Sequence, residues 1–256
     1  LRFGTNSHSD KLLEKAISGI SYYGNCVGVP NIGGDLYRHE CYNSNPLVNV
    51  GCLGIVKKEN IIYGNAKNID DILVYVGSKT GNEGINGAAM SSKSFDSNMN
   101  LEEMEKNIQK SDPFLEKLLL EACCEIAELK LAEGMQDMGA GGLLCASYEV
   151  VMRAREKIES NNNNNNKTNN NNNKYNFGCD IHINKIPTKY DMEPCNTLIS
   201  ESQERMLIVC KKENKQKIFK IFENWDLEYS EIGTINNSGC YSIYNNSNLL
   251  YERNMD

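Results

Sequence analysis

The sequence predicts a mixed α/β fold in two parts, and three observations carry that reading. The apolar run Ile72-Leu73-Val74-Tyr75-Val76, closed by Gly77, reads as the opening strand of a second domain. Asp112-Pro113 offers an N-cap followed by proline at the first helical position, after which Phe114, Leu115, Leu118, Leu119, Ala122, Cys123, Ile126 and Ala127 keep a helical stripe. Strand-like and helix-like stretches then alternate to the end of the chain, and no period of roughly 20 to 50 residues repeats.

Taken in order, Leu1-Arg2-Phe3-Gly4 reads like the end of a strand, so the chain is expected to begin in the middle of a domain. A helix is expected over Asp10–Tyr23 from the spacing of Leu12, Leu13, Ala16, Ile17 and Ile20, with Gly24-Asn25 as its stop. Short extended segments follow at Cys26–Pro30 and Asn31–Tyr37, and Pro46–Val56 reads as a buried strand. The polar connection Lys57–Asp71 suggests a boundary near Asn68, giving parts 1–67 and 68–256. After the capped helix, Leu143, Leu144, Ala146, Val150 and Val151 mark an amphipathic helix. Residues 161–173 hold eleven asparagines interrupted by Lys167-Thr168, a tract with nothing to bury and therefore an insertion. Strands at Cys179–Ile183, Met206–Cys210 and Tyr229–Ile235, a helix through Ile218, Phe219, Ile221 and Phe222, and a hairpin at Tyr241–Tyr251 complete the chain.

Composition narrows the function. The 256 residues are 40% hydrophobic, enough for a core, and carry a formal net charge of -7. Without a Lys/Arg cluster, nucleic acid and anionic membrane are excluded as main partners. No apolar run approaches the roughly 20 residues of a membrane span, so a cytoplasmic protein is expected. The ten cysteines form no Cys-x-x-Cys pair and have few histidines beside them, which predicts reduced, mostly buried thiols.

The chain is organised around Gln136-Asp137-Met138-Gly139-Ala140-Gly141-Gly142-Leu143. Glycines let backbone N–H groups approach an anion at a helix start, and Asp137 could hold a hard cation bridging phosphate oxygens. The same stretch is equally compatible with Asp137 as a helix cap in a tight turn. Gln109, just ahead of the capped helix, and Glu201-Ser202-Gln203-Glu204-Arg205, at the mouth of the Met206 strand, are well placed for a polar ligand, because open sheets collect ligands at strand ends. Either could also be a solvated loop. His8, His39 and His182 lack companions for a metal or a triad, and Gly33-Gly34-Asp35 is undecided between turn and ligand loop.

Read together, Tyr23-Gly24-Asn25 through Pro30, Gly33-Gly34-Asp35, Asn45-Pro46-Leu47-Val48-Asn49, Tyr75-Val76-Gly77 with Lys79-Thr80-Gly81, Asp112-Pro113-Phe114 with Glu116-Lys117-Leu118-Leu119, Gln136–Ala140 and Ser200–Leu207 resemble the phosphoribosylformylglycinamidine synthase family. The motifs run in that family's order from end to end, and their spelling is most similar to its small, separately encoded synthetase subunit.

The resemblance implies the first half of such a subunit: the tail of an N-terminal domain of the aminoimidazole-ribonucleotide-synthetase type, then a complete C-terminal domain. It implies a parent enzyme in which ATP activates the amide of formylglycinamide ribonucleotide and ammonia from glutamine displaces the phosphate to give the amidine. It makes Asp137 a Mg2+ ligand and Gln109, Glu201, Ser202 and Gln203 substrate contacts. It places the family's catalytic histidine ahead of Leu1, so that the 256 residues alone are expected to be inactive. The implied partners are a glutaminase subunit, a small accessory subunit and the second half of the parent chain. Ser111, Asn82 and Asn86 depart from the family's usual glycine, arginine and histidine. The rival readings are a selenophosphate synthase or thiamine-monophosphate kinase type, and a non-catalytic scaffold or allosteric nucleotide module.

Overall fold

The computed structural model describes residues 1–85, 109–164 and 176–255, with the side chains of 158–164 left aside. The chain divides into two compact units, Leu1–Lys57 and Lys58–Asp256.

The first unit is built on helix α1 (Ser7–Val27), which Asn6 caps by accepting a hydrogen bond from the Ser9 N–H. The expected stop at Gly24-Asn25 is overturned, and Cys26 and Val27 are helical rather than extended. Val27 is buried and anchors one more turn, and Gly28 ends the helix at φ 76, its N–H returning to the Asn25 and Gly24 carbonyls. Two-residue strands β1 (Arg2–Phe3) and β2 (Tyr37–Arg38) pair in parallel. The expected strand over Pro46–Val56 does not form: Leu47 makes one isolated bridge to Arg2, while Leu53 and Ile55 are 89% and 101% exposed. An apolar run becomes a strand only where a ladder receives it, and the sheet described in this unit is two residues deep.

In the second unit a seven-stranded sheet has the order β4-β6-β3-β7-β5-β8-β9. Its strands are β3 (Ile72–Gly77), β4 (Gly134–Asp137), β5 (Gly178–His182), β6 (Arg205–Cys210), β7 (Tyr229–Asn236), β8 (Cys240–Asn245) and β9 (Asn248–Asn254). All neighbours are antiparallel except β5 and β8. Central β3 shows why its sequence is apolar without alternation. Leu73 and Tyr75 enter one core with α3 (Gly142–Asn164), while Ile72, Val74 and Val76 enter another with α2 (Pro113–Glu128) and α5 (Lys215–Asn224). Helices cover both faces, so every β3 side chain is buried. Asp112 caps α2 through the Leu115 N–H at 3.1 Å, as its sequence predicts.

Two elements carry too little pattern to be expected: the four-residue strand β4 at the sheet edge and the six-residue helix α4 (Pro194–Ile199). Helix α3 runs into the asparagine tract as far as Asn164, and 165–173 lie outside the described residues. The cysteines correct another expectation. All ten are free, but only Cys179 and Cys210 are buried, while Cys41, Cys52, Cys124, Cys145 and Cys195 are exposed, Cys52 because the strand expected over Pro46–Val56 does not form.

Candidate ligand site at the ends of three strands

β3 ends where β6 begins, with Gly77 opposite Arg205, and β4 ends beside the same point, with Asp137 opposite Met206. Antiparallel pairing thus gathers three connections at one end of the sheet: 78–84 after β3, 138–142 after β4, and 200–204 before β6. Gly77 is required there, since its φ is 114 and an added Cβ would lie 2.2 Å from the Glu204 carbonyl oxygen.

The Ser200–Arg205 connection is an ordered, largely buried network, which removes the solvated-loop alternative. Arg205 is 3% exposed and its guanidinium spans three acceptors: Nε reaches the Ser202 carbonyl at 2.6 Å, Nη2 the Ser200 carbonyl at 2.6 Å and Nη1 Thr80 Oγ1 at 3.0 Å. Burial pulls the Arg205 pKa below its ordinary value, opposed by Tyr75, Glu83 and Glu201 nearby. Ser202 donates to Glu83 Oε2 at 2.5 Å and accepts the Gly81 N–H at 3.0 Å. Glu83 Oε1 in turn takes Lys189 Nζ at 2.5 Å. The segment carrying Lys189 is strapped to the same loop, Lys189 N donating to the Thr80 carbonyl and Asn82 N to Tyr190 Oη.

Glu201 joins the pieces. It is 5% exposed, its N–H donates to the Glu83 carbonyl at 3.0 Å, and its carboxylate takes Gln109 Nε2 on Oε2 at 2.8 Å and the Gly141 N–H on Oε1 at 3.1 Å. Gln203 Nε2 donates to the Glu201 carbonyl at 2.7 Å. Gln109, Glu201 and Gln203 therefore meet directly. Ser202 joins them through Glu83, with its hydroxyl already donating and accepting within the protein.

Asp137 lies at the same end of the sheet, exposed, its Oδ1 accepting Gln136 Nε2 at 2.9 Å. It does not cap a helix: it ends β4, and α3 starts only at Gly142. The turn between them uses Gly141 and Gly142 at φ 72 and 57, where a Cβ on Gly142 would sit 2.1 Å from the Ser200 carbonyl oxygen. A Cβ on Gly139 would sit 3.2 Å from Asp137 Oδ2, so the missing side chain keeps that carboxylate accessible. Among the described residues no group of three His, Cys, Asp or Glu side chains could hold a metal. One open carboxylate fits a magnesium ion whose remaining ligands are phosphate oxygens and water.

Thr80 stands out in the sequence only within Lys79-Thr80-Gly81, and Glu83, Lys189 and Tyr190 carry no mark, because their partners are remote and single charged or hydroxyl residues in loops have no spacing signal. Arg205 stands out there only as part of a run. His8 and His39 are exposed, and the His182 ring sits 5.5 Å from that of Tyr244. Asp35 forms an ion pair with Arg2 at 3.1 Å. Ser111 is exposed, and Asn86 lies outside the described residues.

This mixed sheet covered by helices falls within the AIR synthase related proteins. Residues 68–244 match the model for their C-terminal domain and 1–56 the model for their N-terminal domain. The chain belongs to this family. It is 40% identical over 252 residues to phosphoribosylformylglycinamidine synthase subunit PurL of a Nitratiruptor species, covering 95% of this chain and 31% of that relative. Among solved structures, T. maritima PurL complexed with FGAR superposes with a TM-score of 0.79 at 33% identity over 93% of this chain and 36% of that one. T. maritima PurL complexed with ATP gives 0.74 at 32% identity, over 93% and 34%.

Proposed function

We propose that this chain forms part of an ATP-dependent phosphoribosylformylglycinamidine synthase, with the strand-end cluster as its site for formylglycinamide ribonucleotide. In the whole enzyme ATP would activate the substrate amide and ammonia from glutamine would displace the phosphate. The observation that carries the reading is the Gln109–Glu201 hydrogen bond, which joins residues 92 apart in sequence in a cluster shared with Gln203 and Ser202. The similarity to PurL, solved with FGAR and with ATP, supports it.

In this reading Gln109, Glu201 and Gln203 bind and orient the amide end of the substrate, and Ser202 holds their loop in register. Asp137 would hold magnesium, which supplies charge neutralisation at the nucleotide phosphates. Arg205 fixes the carbonyls of Ser200 and Ser202, so orientation is set before the ligand arrives. Residues 1–56 would belong to an N-terminal and 68–244 to a C-terminal synthetase-like domain. A glutaminase subunit, a small accessory subunit and a second synthetase half are the partners this function requires. The setting is cytoplasmic, consistent with the absence, among the described residues, of any helix long and apolar enough to cross a membrane.

Calorimetric titration with formylglycinamide ribonucleotide tests the site. Binding should weaken at least tenfold in Gln109→Ala, whose exposed position leaves folding intact. Undiminished binding in that variant would remove Gln109 from the site, and no binding to the unaltered chain would remove the function.

A further inference from the structure

We propose that Glu201 fixes both glutamines of the site as hydrogen-bond acceptors, so that the site reads its ligand through N–H groups. The inference rests on the functional reading of this cluster as a substrate site and deepens it. A glutamine amide has two ends of opposite polarity, and which end faces a ligand depends on what holds the other. Here the Gln109 NH2 is held by Glu201 Oε2 at 2.8 Å and the Gln203 NH2 by the Glu201 carbonyl oxygen at 2.7 Å. Both holders only accept. Turning either amide round would set oxygen against oxygen, so the orientation is dictated by chemistry.

The holder is itself immobilised. Glu201 is 5% exposed, its N–H is bonded to Glu83 and its second carboxylate oxygen to the Gly141 N–H. Gln109 is exposed and Gln203 partly so, and among the described residues their side-chain oxygens take no hydrogen bond. A ligand entering here meets two amide oxygens, with the buried Glu201 carboxylate behind them. That face suits an amide, whose N–H donates, and suits an amidine better, because it carries more N–H groups and positive charge. Accepting from an amide N–H also shifts electron density toward the amide oxygen, the atom that activation requires to be nucleophilic. An isosteric ligand without the N–H would leave these oxygens desolvated and unpaired.

The test compares formylglycinamide ribonucleotide with two isosteres, each with one of its two amide N–H groups replaced by CH2. Titrations use the full chain, unaltered and as Glu201→Gln, with melting curves to verify folding. At least one isostere should bind the unaltered chain roughly ten- to a hundredfold more weakly than the amide. In Glu201→Gln the Gln109 amide is free to turn, while Gln203 stays held by the main-chain carbonyl of residue 201, so that ratio should fall at least about threefold whatever happens to overall affinity. If Glu201→Gln does not fold, Gln109→Leu, on an exposed loop position, should likewise shrink the ratio. Both isosteres binding as tightly as the amide would overturn the acceptor face while leaving the substrate assignment intact. A ratio unchanged in the folded variants would also overturn it, and failure of all three ligands to bind would remove both.

Discussion

Lys189 Nζ lies 2.5 Å from Glu83 Oε1, and the other oxygen of that carboxylate takes the Ser202 hydroxyl at 2.5 Å. One charged pair thus sets the position of the run that carries Glu201 and Gln203. Burial by itself would lift the Glu83 pKa, but the hydrogen bonds from Lys189 and Ser202 outweigh it and hold the carboxyl below its ordinary value. A carboxyl depressed in the folded state adds stability above the unfolded value, near 4.5, and loses it as pH falls through the folded one. The melting temperature of Glu83→Gln should therefore lie below that of the unaltered chain at pH 7, and the two should converge on acidification below about pH 4.5. Curves that stay parallel would show that Glu83 gains nothing from its partners.

Two neighbouring glycines should respond in opposite ways. Gly142→Ala combines φ 57 with a Cβ 2.1 Å from the backbone oxygen of Ser200, and backbone cannot swing aside as a side chain can. It should cost about 2–4 kcal/mol in denaturant unfolding. Gly139→Ala meets only Asp137 Oδ2 at 3.2 Å, so stability should change by under about 1 kcal/mol. That methyl crowds the carboxylate, and magnesium-dependent ATP binding should weaken several-fold. Should Gly139→Ala bind magnesium–ATP normally, and Asp137→Asn with it, Asp137 would have no part in holding the cation.

These contrasts show what was legible in the sequence. Helix α2 was, because Asp112-Pro113 and the stripe behind it are local signals, and so was β3, because burial on both faces leaves an uninterrupted apolar run. Gln109, Asp137 and the Glu201 run stood out as polar residues interrupting such patterns. Lys189 did not, since its partner Glu83 is 106 residues away and nothing local marks either one. Pro46–Val56 misled for the converse reason: an apolar run shows that a segment needs cover without showing where a ladder would receive it.

The thiols provide an inexpensive check on burial. Cys41, Cys52, Cys124, Cys145 and Cys195 are exposed and should react with a disulfide reagent in the native protein at pH 8. Cys210 is buried, which pushes its thiol up to about 12, and burial raises Cys179 as well. Neither should react until denaturant is added. Fast native labelling of Cys179 or Cys210, located by peptide mapping, would contradict the packing of β5 and β6.

Deleting 161–173 should leave the second unit folded. The tract has no apolar side chain to contribute to a core, and shortening a surface connection changes closure entropy by well under about 1 kcal/mol per halving. The melting temperature should move by no more than a few degrees. A larger fall would mean that the turns of α3 reaching Asn164 contribute to the fold.

Arg205 offers the sharpest separation of charge from shape. Its guanidinium holds two carbonyls and a hydroxyl from a buried position, with acceptors at three angles that a planar fork can meet and a single ammonium cannot. Arg205→Lys keeps the charge but satisfies at most part of this set, leaving buried carbonyls at Ser200 and Ser202 without partners. It should cost about 2–4 kcal/mol of stability and weaken substrate binding, because those carbonyls flank Glu201. Arg205→Met removes the charge as well and spares the burial of an ill-placed ammonium. If shape governs, the two variants should be similarly destabilised and bind substrate with similarly reduced affinity. If charge governs, Arg205→Lys should stay close to the unaltered chain, and the three-way hydrogen bond would not be what holds the Ser200–Gln203 run in place.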